Sequence, residues 1–388
     1  MATRQWTLID VASQTYLDEV TIGPDDVAGA ARGYSVTKRT RRGGLSDSVE
    51  VVHVSNGAFS FDVLPTRGMS LWKAWLGDLE IGWRSPVRGP VHPKFVPLME
   101  PGGLGWLDGF DELLVRCGLE SNGAPDFDDS GRLRYPLHGR IGNRSAYQVE
   151  VSIDGDTGEI TVTGVVEEIR FHFLKARLTS TVTTRVGEPG LRVHDTVENL
   201  SGSPAEIQML YHINFGQPLL EAGSRFVAPV KMVVPRNARA AEGIATWDSY
   251  TAAAAGYEEQ VYFLELLGAK DGTTQALLKN AQGTLGVSMH LNLRQLPCYT
   301  VWKNTTSLAD GYATGLEPGV NFPNPRSYEG RQGRVVKLAP GGKAFFDLRL
   351  EVHQNVAEIE QAEAAITTLQ AGVKPEIYDE PQAGWCVP

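Results

Sequence analysis

Much of the chain alternates hydrophobic and polar residues at every second position, the pattern of half-buried β-strands. One run places Val149, Val151 and Ile153 on one side, with polar side chains between them. The turn Asp154–Gly158 and a β-branched run at 160–166 follow, which predicts a hairpin because Asp and Gly tolerate turn dihedral angles. Further strands are predicted at 49–54, 58–64, 178–186, 191–198, 205–213, 261–267, 285–293, 299–303 and 344–353.

Glycine and proline fall mainly between these runs. Many short strands joined by turns rich in Gly and Pro are typical of a sandwich or a barrel. The sequence shows neither strand–helix alternation nor a fixed-period repeat, which disfavours a doubly wound α/β fold and a propeller. The pattern therefore predicts an all-β fold, a large antiparallel β-sandwich.

One helix is predicted near the C-terminal end. Asn355 can cap it, and Glu358 stands three residues further on, where its carboxylate can complete a capping box. The apolar face of this helix comprises Val356, Ile359, Ile366 and Leu369. We therefore expect an N-terminal arm at 1–20, one β-sandwich domain at 21–353 and a C-terminal helix and tail at 354–388.

Composition and charge narrow the class of protein. The 388 residues include 36 Lys and Arg against 46 Asp and Glu, a formal net charge of −10. Nucleic-acid binding needs a basic surface, so we expect no nucleic-acid partner. No window approaches about 18 uncharged apolar residues, and no signal-peptide core is visible, so we expect no membrane partner and a cytoplasmic protein. Three scattered cysteines do not form a disulfide framework.

Three short clusters carry residues suited to acid–base chemistry. His138 precedes Gly139 on a tight turn, where backbone can approach a ligand closely. His212 and Asn214 end a strand-like run, and histidine exchanges protons near neutral pH. Glu317 stands among small and ring-constrained residues, where a carboxylate can be a general base. Taken singly, each cluster also fits an ordinary structural role.

In this order, the three clusters resemble the aldose 1-epimerase (galactose mutarotase) superfamily. The matching stretches are Leu137-His138-Gly139, Tyr211-His212-Ile213-Asn214-Phe215, Leu316-Glu317-Pro318-Gly319-Val320-Asn321-Phe322-Pro323 and the earlier Gly68-Met69-Ser70-Leu71-Trp72. The resemblance extends over residues 50–350, and the stretch at 109–119 indicates a poorly characterised branch. It implies the galactose mutarotase-like supersandwich fold.

The resemblance also implies a reaction, the interconversion of sugar anomers through ring opening. Glu317 would be the base that takes the proton of the anomeric hydroxyl, and His212 the acid that protonates the ring oxygen. His138 would hydrogen-bond the sugar and stabilise charge on that oxygen. The chemistry implies no metal and no organic cofactor.

Other side chains are expected to bind the substrate. Arginines can bind a sugar phosphate, sulfonate or uronate through paired hydrogen bonds, and Trp106 with Phe110 can form a stacking wall. Glu258 is the nearest match to an acidic sugar ligand of the superfamily, and Gly216 replaces an asparagine of its motif. The expected substrate-binding residues are His138, Arg67, Arg140, Asn214, Glu258, Trp106, Phe110, Arg116 and Asn321.

The predicted function is that of an aldose 1-epimerase-like isomerase acting on a small-molecule sugar, either a free aldose or a charged derivative. A non-catalytic carbohydrate-binding protein on the same fold is one alternative. A sugar lyase or hydrolase is another, although the sequence shows no motif for a leaving-group site. Exposed edge strands are compatible with a homodimer.

Overall fold

The computed structural model describes residues 3–387, so residues 1, 2 and 388 of the predicted arm and tail lie outside the described residues. The strands of its first half are β1 Thr3–Asp10, β2 Thr15–Tyr16, β3 Val20–Ile22, β4 Ser35–Thr40, β5 Glu50–Ser55, β6 Phe59–Leu64, β7 Ser70–Leu76, β8 Leu79–Ile81, β9 Leu114–Leu119, β10 Asp126–Phe127, β11 Leu133–Tyr135, β12 Ala146–Asp154 and β13 Glu159–Ile169. The later strands are β14 Lys175–Arg185, β15 Gly190–Asn199, β16 Ala205–Phe215, β17 Arg225–Val227, β18 Val230–Pro235, β19 Gln260–Leu266, β20 Thr273–Lys279, β21 Gly286–Asn292, β22 Cys298–Asn304, β23 Ala313–Gly319, β24 Val336–Leu338, β25 Lys343–His353 and β26 Glu376–Ile377. The α-helices of the described chain are α1 Ala238–Glu242, α2 Arg326–Arg331 and α3 Val356–Gln370.

Two large sheets contain nearly all of these strands. The ten-stranded sheet has the order β17-β20-β21-β25-β15-β14-β13-β12-β1-β2. The fourteen-stranded sheet runs β26-β18-β19-β22-β23-β16-β9-β7-β6-β5-β4-β3, with β24 beside β16 and β8 beside β7. Neighbouring strands are antiparallel, except that β18 and β26 are parallel. This topology confirms the prediction of a large antiparallel β-sandwich.

The main hydrophobic core lies between the two sheets. Val182 and Val193 enter it from the ten-stranded sheet, and Phe61 and Ile213 enter it from the fourteen-stranded sheet. These side chains are at most 1% exposed. Burying an aliphatic or aromatic side chain to this degree contributes about 1.5–3 kcal/mol relative to leaving it in water. The alternation seen in the sequence therefore follows from one face of each sheet packing on the other sheet.

The outer face of the fourteen-stranded sheet is also covered, by the long connections from β8 to β9 and from β9 to β12. On β16, Tyr211 and Ile213 point into the main core, so the residue between them points outward. A second, smaller apolar cluster on that outer side includes Trp83, Trp106 and Phe110. This covering layer encloses the outward side chains of the central strands.

The predicted C-terminal helix is confirmed as α3. The side chain of Asn355 accepts a hydrogen bond from the backbone N–H of Glu358, and the Glu358 carboxylate accepts one from the backbone N–H of Gln354. Ile359 and Ile366 are buried as expected, whereas Val356 is 47% exposed because it lies on the first turn, beyond the edge of the contact. The reciprocal capping bonds explain why the helix begins where the sequence indicates.

Several strands were not predicted from the sequence, among them the N-terminal pair and β9. The N-terminal segment forms β1 and β2, and β1 pairs with β12 at the edge of the ten-stranded sheet. Strand β9 is buried at every position, so its sequence is a continuous run without alternation. Both segments needed a pairing partner elsewhere in the chain to become strands.

Candidate active site

His212 and Glu317 face each other on the outer side of the fourteen-stranded sheet. The Nε2 atom of His212 lies 3.2 Å from Oε1 of Glu317, and both side chains are at least 95% buried. Strands β16 and β23 are paired, with Ile213 opposite Leu316, so the two site residues stand side by side in register. The two strands thus bring the predicted acid and base within hydrogen-bond distance.

Room for this pair depends on Gly315. A Cβ atom at that position would lie 2.8 Å from Oε1 of Glu317 and 2.8 Å from Cε1 of His212, closer than such atoms pack. The glycine therefore leaves the space in which the two side chains meet.

Asn214 determines which nitrogen of His212 faces Glu317. Its side-chain N–H₂ group donates to the backbone carbonyls of Glu112 at 3.0 Å and His212 at 3.3 Å, which directs Oδ1 toward the imidazole. Oδ1 lies 2.7 Å from Nδ1 of His212, so Nδ1 carries the proton and donates it to this oxygen. The neutral imidazole then presents the lone pair of Nε2 to Glu317.

Burial sets the protonation of the pair. It raises the pKa of Glu317 to about 8, with Glu259 raising it further and Arg236 lowering it. Burial and the neighbouring His138 hold the pKa of His212 well below its ordinary value. The proton that the two groups share therefore rests on Glu317, which donates to Nε2 of His212.

His138 completes the polar centre. Its Nδ1 lies 2.9 Å from the backbone carbonyl of Asn122, which can only accept, so Nδ1 carries the proton and Nε2 is an acceptor. Desolvation by burial lowers its pKa to about 4. The His138 and His212 rings are 5.2 Å apart. The turn that carries His138 requires glycine at position 139. Gly139 has a φ of +73°, and a Cβ there would lie 1.9 Å from the carbonyl oxygen of Ser121.

These three side chains line a cavity of about 240 Å³. That volume is below the roughly 300–1,000 Å³ typical of pockets for drug-sized ligands, so the cavity suits a smaller molecule. Phe110 and Trp302 form aromatic walls with Trp106, which packs at 4.6 Å on Phe110. Trp106 and Phe110 thus lie where the sequence analysis expected a stacking wall. The other lining residues are Leu104, Leu107, Ala124, Leu137, Arg236, Glu259, Val261, Thr300 and Pro323.

Arg236 and Glu259 line the same cavity, and sequence reasoning missed both. The Arg236 guanidinium donates to Glu259 at 2.8 Å, and the indole N–H of Trp302 donates to the other carboxylate oxygen at 2.6 Å. Glu258, which was expected to bind the sugar, has an exposed side chain that does not line the cavity, whereas Glu259 does line it. Neighbouring residues in an extended chain point in opposite directions, and only the structure determines which one faces the site.

Arg67 and Arg116, expected to bind substrate, lie elsewhere. Arg67 is buried and donates to Glu112 at 2.5 Å and to the carbonyl of Gly109, just before Phe110. Arg116 points into the main core, where it pairs with Asp195 of the other sheet. The guanidinium groups of both arginines donate to other groups inside the protein, so the expectation that these residues bind substrate is corrected. Arg67 supports the loop that forms one wall of the cavity, and Arg116 connects the two sheets.

Three further expected ligands also lie outside the cavity lining. Asn214 is fully buried behind His212 and acts through that ring. Asn321 exchanges two hydrogen bonds of 2.8 Å with the side chain of Asn122 and so holds the loop after β23. Arg140 approaches the Met99 sulfur at 3.3 Å rather than the cavity. The three residues therefore contact the surroundings of the site and not the cavity itself.

A larger depression of about 520 Å³ lies on the outer face of the ten-stranded sheet. Its charged groups pair with one another across the strands, as in His194 with Asp347 at 2.7 Å, and they are about half exposed. Exposed pairs of this kind are common on open sheet faces and carry little energy. The smaller cavity is the better candidate because it encloses buried groups with shifted pKa values.

Among residues 3–387, no group of three or more His, Cys, Asp or Glu side chains is placed to hold a metal ion. The helices of the same part of the chain are all too short or too polar to cross a bilayer.

Comparison with known proteins identifies the family and the fold. The family described as a domain of unknown function (DUF4432) matches residues 46–352. A crystal structure from Klebsiella pneumoniae subsp. pneumoniae MGH 78578, described as that of a candidate aldose 1-epimerase, superposes with a TM-score of 0.93. It is 32% identical to this chain, and the match covers 98% of this chain and 99% of that one. A search of the curated proteins finds no match.

More distant structures share the fold. A galactose mutarotase-like protein from Clostridium acetobutylicum superposes with a TM-score of 0.56 at 13% identity, over 82% of this chain and 98% of that one. Galactose 1-epimerase from Lactobacillus acidophilus NCFM gives 0.53 at 12% identity, over 82% of this chain and 99% of that one. The resemblance to the galactose mutarotase-like fold that the motifs indicated is confirmed.

Proposed function

Because this chain belongs to the family described as a domain of unknown function (DUF4432) and has the galactose mutarotase-like fold, we propose from its site that it is an aldose 1-epimerase. It would interconvert the anomers of a small aldose. The observation that carries this proposal is the contact of 3.2 Å between His212 and Glu317, two buried side chains that line the same cavity. Ring opening needs one group to accept a proton and a second to donate one at neighbouring oxygens, and this pair meets that need.

The reaction balances with the single proton that the pair holds. The Glu317 carboxylate removes the proton of the anomeric hydroxyl, the bond between C1 and the ring oxygen breaks, and a carbonyl forms at C1. The ring oxygen keeps the electron pair of the broken bond and takes the proton of His212. Rotation about the C1–C2 bond and the reverse transfers close the ring as the other anomer and restore both groups.

Substrate binding prepares the pair for these roles. Before a sugar binds, the raised pKa of Glu317 keeps the proton on the carboxyl group. Sugar hydroxyls that donate to Glu317 favour its charged form, because hydrogen bonds to a carboxylate lower its pKa. The proton then passes across the short contact to Nε2 of His212, where it faces the ring oxygen. His138 accepts a hydrogen bond from a sugar hydroxyl through its free Nε2, instead of donating to the ring oxygen as the sequence analysis expected.

The charges of the cavity favour a neutral sugar over a charged derivative. Among the residues that line it, Arg236 is the one arginine, and its guanidinium already pairs with Glu259. Arg67 and Arg116, which were expected to recognise a phosphate, sulfonate or uronate, are buried in other ion pairs. An anionic substituent would lie near two carboxyl groups without a free partner, which is unfavourable.

Polarimetry on freshly dissolved single anomers of neutral aldoses tests the proposal. We expect the protein to accelerate the approach to anomeric equilibrium above the spontaneous rate, with no consumption of sugar. Binding without acceleration would favour a non-catalytic carbohydrate-binding protein, and release of a cleaved product would favour a lyase or hydrolase.

A further inference from the structure

Thr300 lies beside the catalytic pair in the same transverse row of the sheet. Strand β22 pairs with β23, and Thr300 is the direct partner of Glu317. His212 stands beside Glu317 on its other side, on β16. Neighbouring strands are about 4.8 Å apart, so Thr300 and His212 flank the carboxyl group from opposite sides.

The Thr300 side chain points to the cavity. Its neighbours Tyr299 and Val301 both enter the main core between the sheets, so alternation directs Thr300 outward, with Trp302. Thr300 is among the residues that line the 240 Å³ cavity. It therefore shares a face, a row and a cavity with Glu317.

The Thr300 hydroxyl is buried and has no hydrogen-bond partner among the described residues. The residue is 1% exposed, and no donor or acceptor of residues 3–387 satisfies its Oγ1 atom. The indole N–H of Trp106, on another wall of the cavity, is in the same state. Buried polar groups are nearly always paired, so a hydroxyl kept at this position indicates a partner from outside the protein chain. A sugar hydroxyl meets that requirement.

The row indicates which sugar hydroxyl this is. In a pyranose, the anomeric carbon is bonded to the ring oxygen on one side and to C2 on the other. If Glu317 contacts the anomeric hydroxyl and His212 contacts the ring oxygen, the C2 side of the ring faces Thr300. We propose that Thr300 hydrogen-bonds the C2 hydroxyl of the aldose and makes the protein selective for sugars that carry it. This inference rests on the proposed function.

Thr300→Val tests the proposal, because valine keeps the shape of threonine and removes the hydroxyl. The kinetic measurement is the anomer exchange of an aldose, its 2-deoxy analogue and its 6-deoxy analogue, each relative to the spontaneous rate. We expect wild type to show a kcat/KM about tenfold lower on the 2-deoxy sugar, the equivalent of one hydrogen bond. Thr300→Val should lose about tenfold on the parent sugar and nothing further on the 2-deoxy sugar.

Thermal unfolding separates substrate binding from a structural role. Removing an unpartnered buried hydroxyl leaves no group unsatisfied, so Thr300→Val should melt at or above the wild-type temperature. Thr274→Val is the matched control. The hydroxyl of Thr274 donates to the carbonyl of Leu267 at 2.7 Å far from the cavity lining, so this variant should melt lower and keep wild-type kinetics.

Three results would overturn the proposal. The first is a Thr300→Val protein that still discriminates against the 2-deoxy sugar. The second is a wild-type protein that discriminates at C6 in place of C2, and the third is a fall in the melting temperature of Thr300→Val like that of Thr274→Val.

If wild type accelerates no aldose, the proposed function fails, and calorimetric binding of the same sugars decides this inference. Tighter wild-type binding of the parent sugar than of the 2-deoxy sugar, abolished in Thr300→Val, would support it. Equal binding, or no binding of either sugar, would reject it.

Discussion

Oδ1 of Asn214 lies 2.7 Å from Nδ1 of His212, and this contact determines the nitrogen that His212 turns toward Glu317. The Asn214 amide is itself held by two backbone carbonyls. The residue thus acts on the proposed reaction through the imidazole ring without lining the cavity. Sequence analysis expected Asn214 to bind the substrate, whereas its position indicates that it fixes the tautomer of His212, the proposed acid.

Asn214→Leu should loosen this control. Without the Asn214 acceptor beside Nδ1, the neutral His212 ring can carry its proton on Nε2 instead. Nε2 then cannot accept a hydrogen bond from Glu317. We expect kcat to fall by at least about tenfold with a smaller change in KM. Nitrogen NMR of the His212 ring should show the Nδ1–H tautomer in wild type and a mixture in the variant. A pure Nδ1–H tautomer with wild-type kcat in a folded variant would rule out this role.

The value of kcat/KM should fall as the pH rises above about 8, which sets the alkaline limb of its pH profile. Above that value the free protein loses the proton on Glu317, whose pKa is about 8, and the pair no longer holds one for the ring oxygen. The acid limb should lie well below pH 6.5, because burial lowers the pKa of His212. The profile of kcat/KM against pH checks both limbs, since it reports groups of the free enzyme.

Glu259→Gln should move the alkaline limb to lower pH. The charge of Glu259 raises the pKa of Glu317, so removing it favours the Glu317 carboxylate. Glu258→Gln is the matched control. It removes the same charge at the neighbouring position, where the side chain is exposed and does not line the cavity. An identical shift in both variants, or in neither, would contradict the placement of Glu259 at the site.

Glu317 should make the stability of the protein depend on pH. Its carboxyl group has a pKa of about 8 in the folded protein against 4.5 in the unfolded chain, so folding binds the proton more tightly. Stability from this group is therefore complete below about pH 4.5 and falls as the pH rises to about 8. Glu317→Gln cannot ionise and should become the more stable protein above pH 8, by a few kcal/mol in order of magnitude.

Urea unfolding of both proteins at pH 5 and at pH 9 checks this effect. The free energy of unfolding of wild type relative to Glu317→Gln should be lower at pH 9 than at pH 5. A constant difference between the two proteins would mean that the carboxyl group is not held in a desolvating environment.

The sequence predicted the parts of the molecule in which local pattern and spatial role coincide. Alternating runs became strands such as β12 and β13, and the ordered motifs identified His212 and Glu317, which the structure brings together. Arg116 was misassigned because its strand is buried on both faces and has no alternation to show which way it points. Its partner, Asp195, is on the other sheet and far away in the sequence.

Thr300 shows a different limit of sequence reasoning. The strand at 299–303 was predicted, and its alternation places Thr300 on the face away from Tyr299 and Val301. Its significance appears only when β22 is paired with β23, because the register then puts Thr300 beside Glu317. Pairing between strands is a long-range property that a single sequence does not specify. Arg236 and Glu259 were missed for the same reason, since they flank the paired strands β18 and β19, and this pairing brings both to the cavity.

Exchange NMR of anomer interconversion at equilibrium tests the central claim most directly. Neutral aldoses would be measured with wild type, Glu317→Gln, His212→Asn and the control Glu258→Gln, against the spontaneous rate. The account predicts acceleration by wild type and by Glu258→Gln, and a loss of about 10²–10⁴-fold in each of the two site variants. Acceleration that survives in folded Glu317→Gln and His212→Asn, or no acceleration of any aldose by wild type, would contradict it.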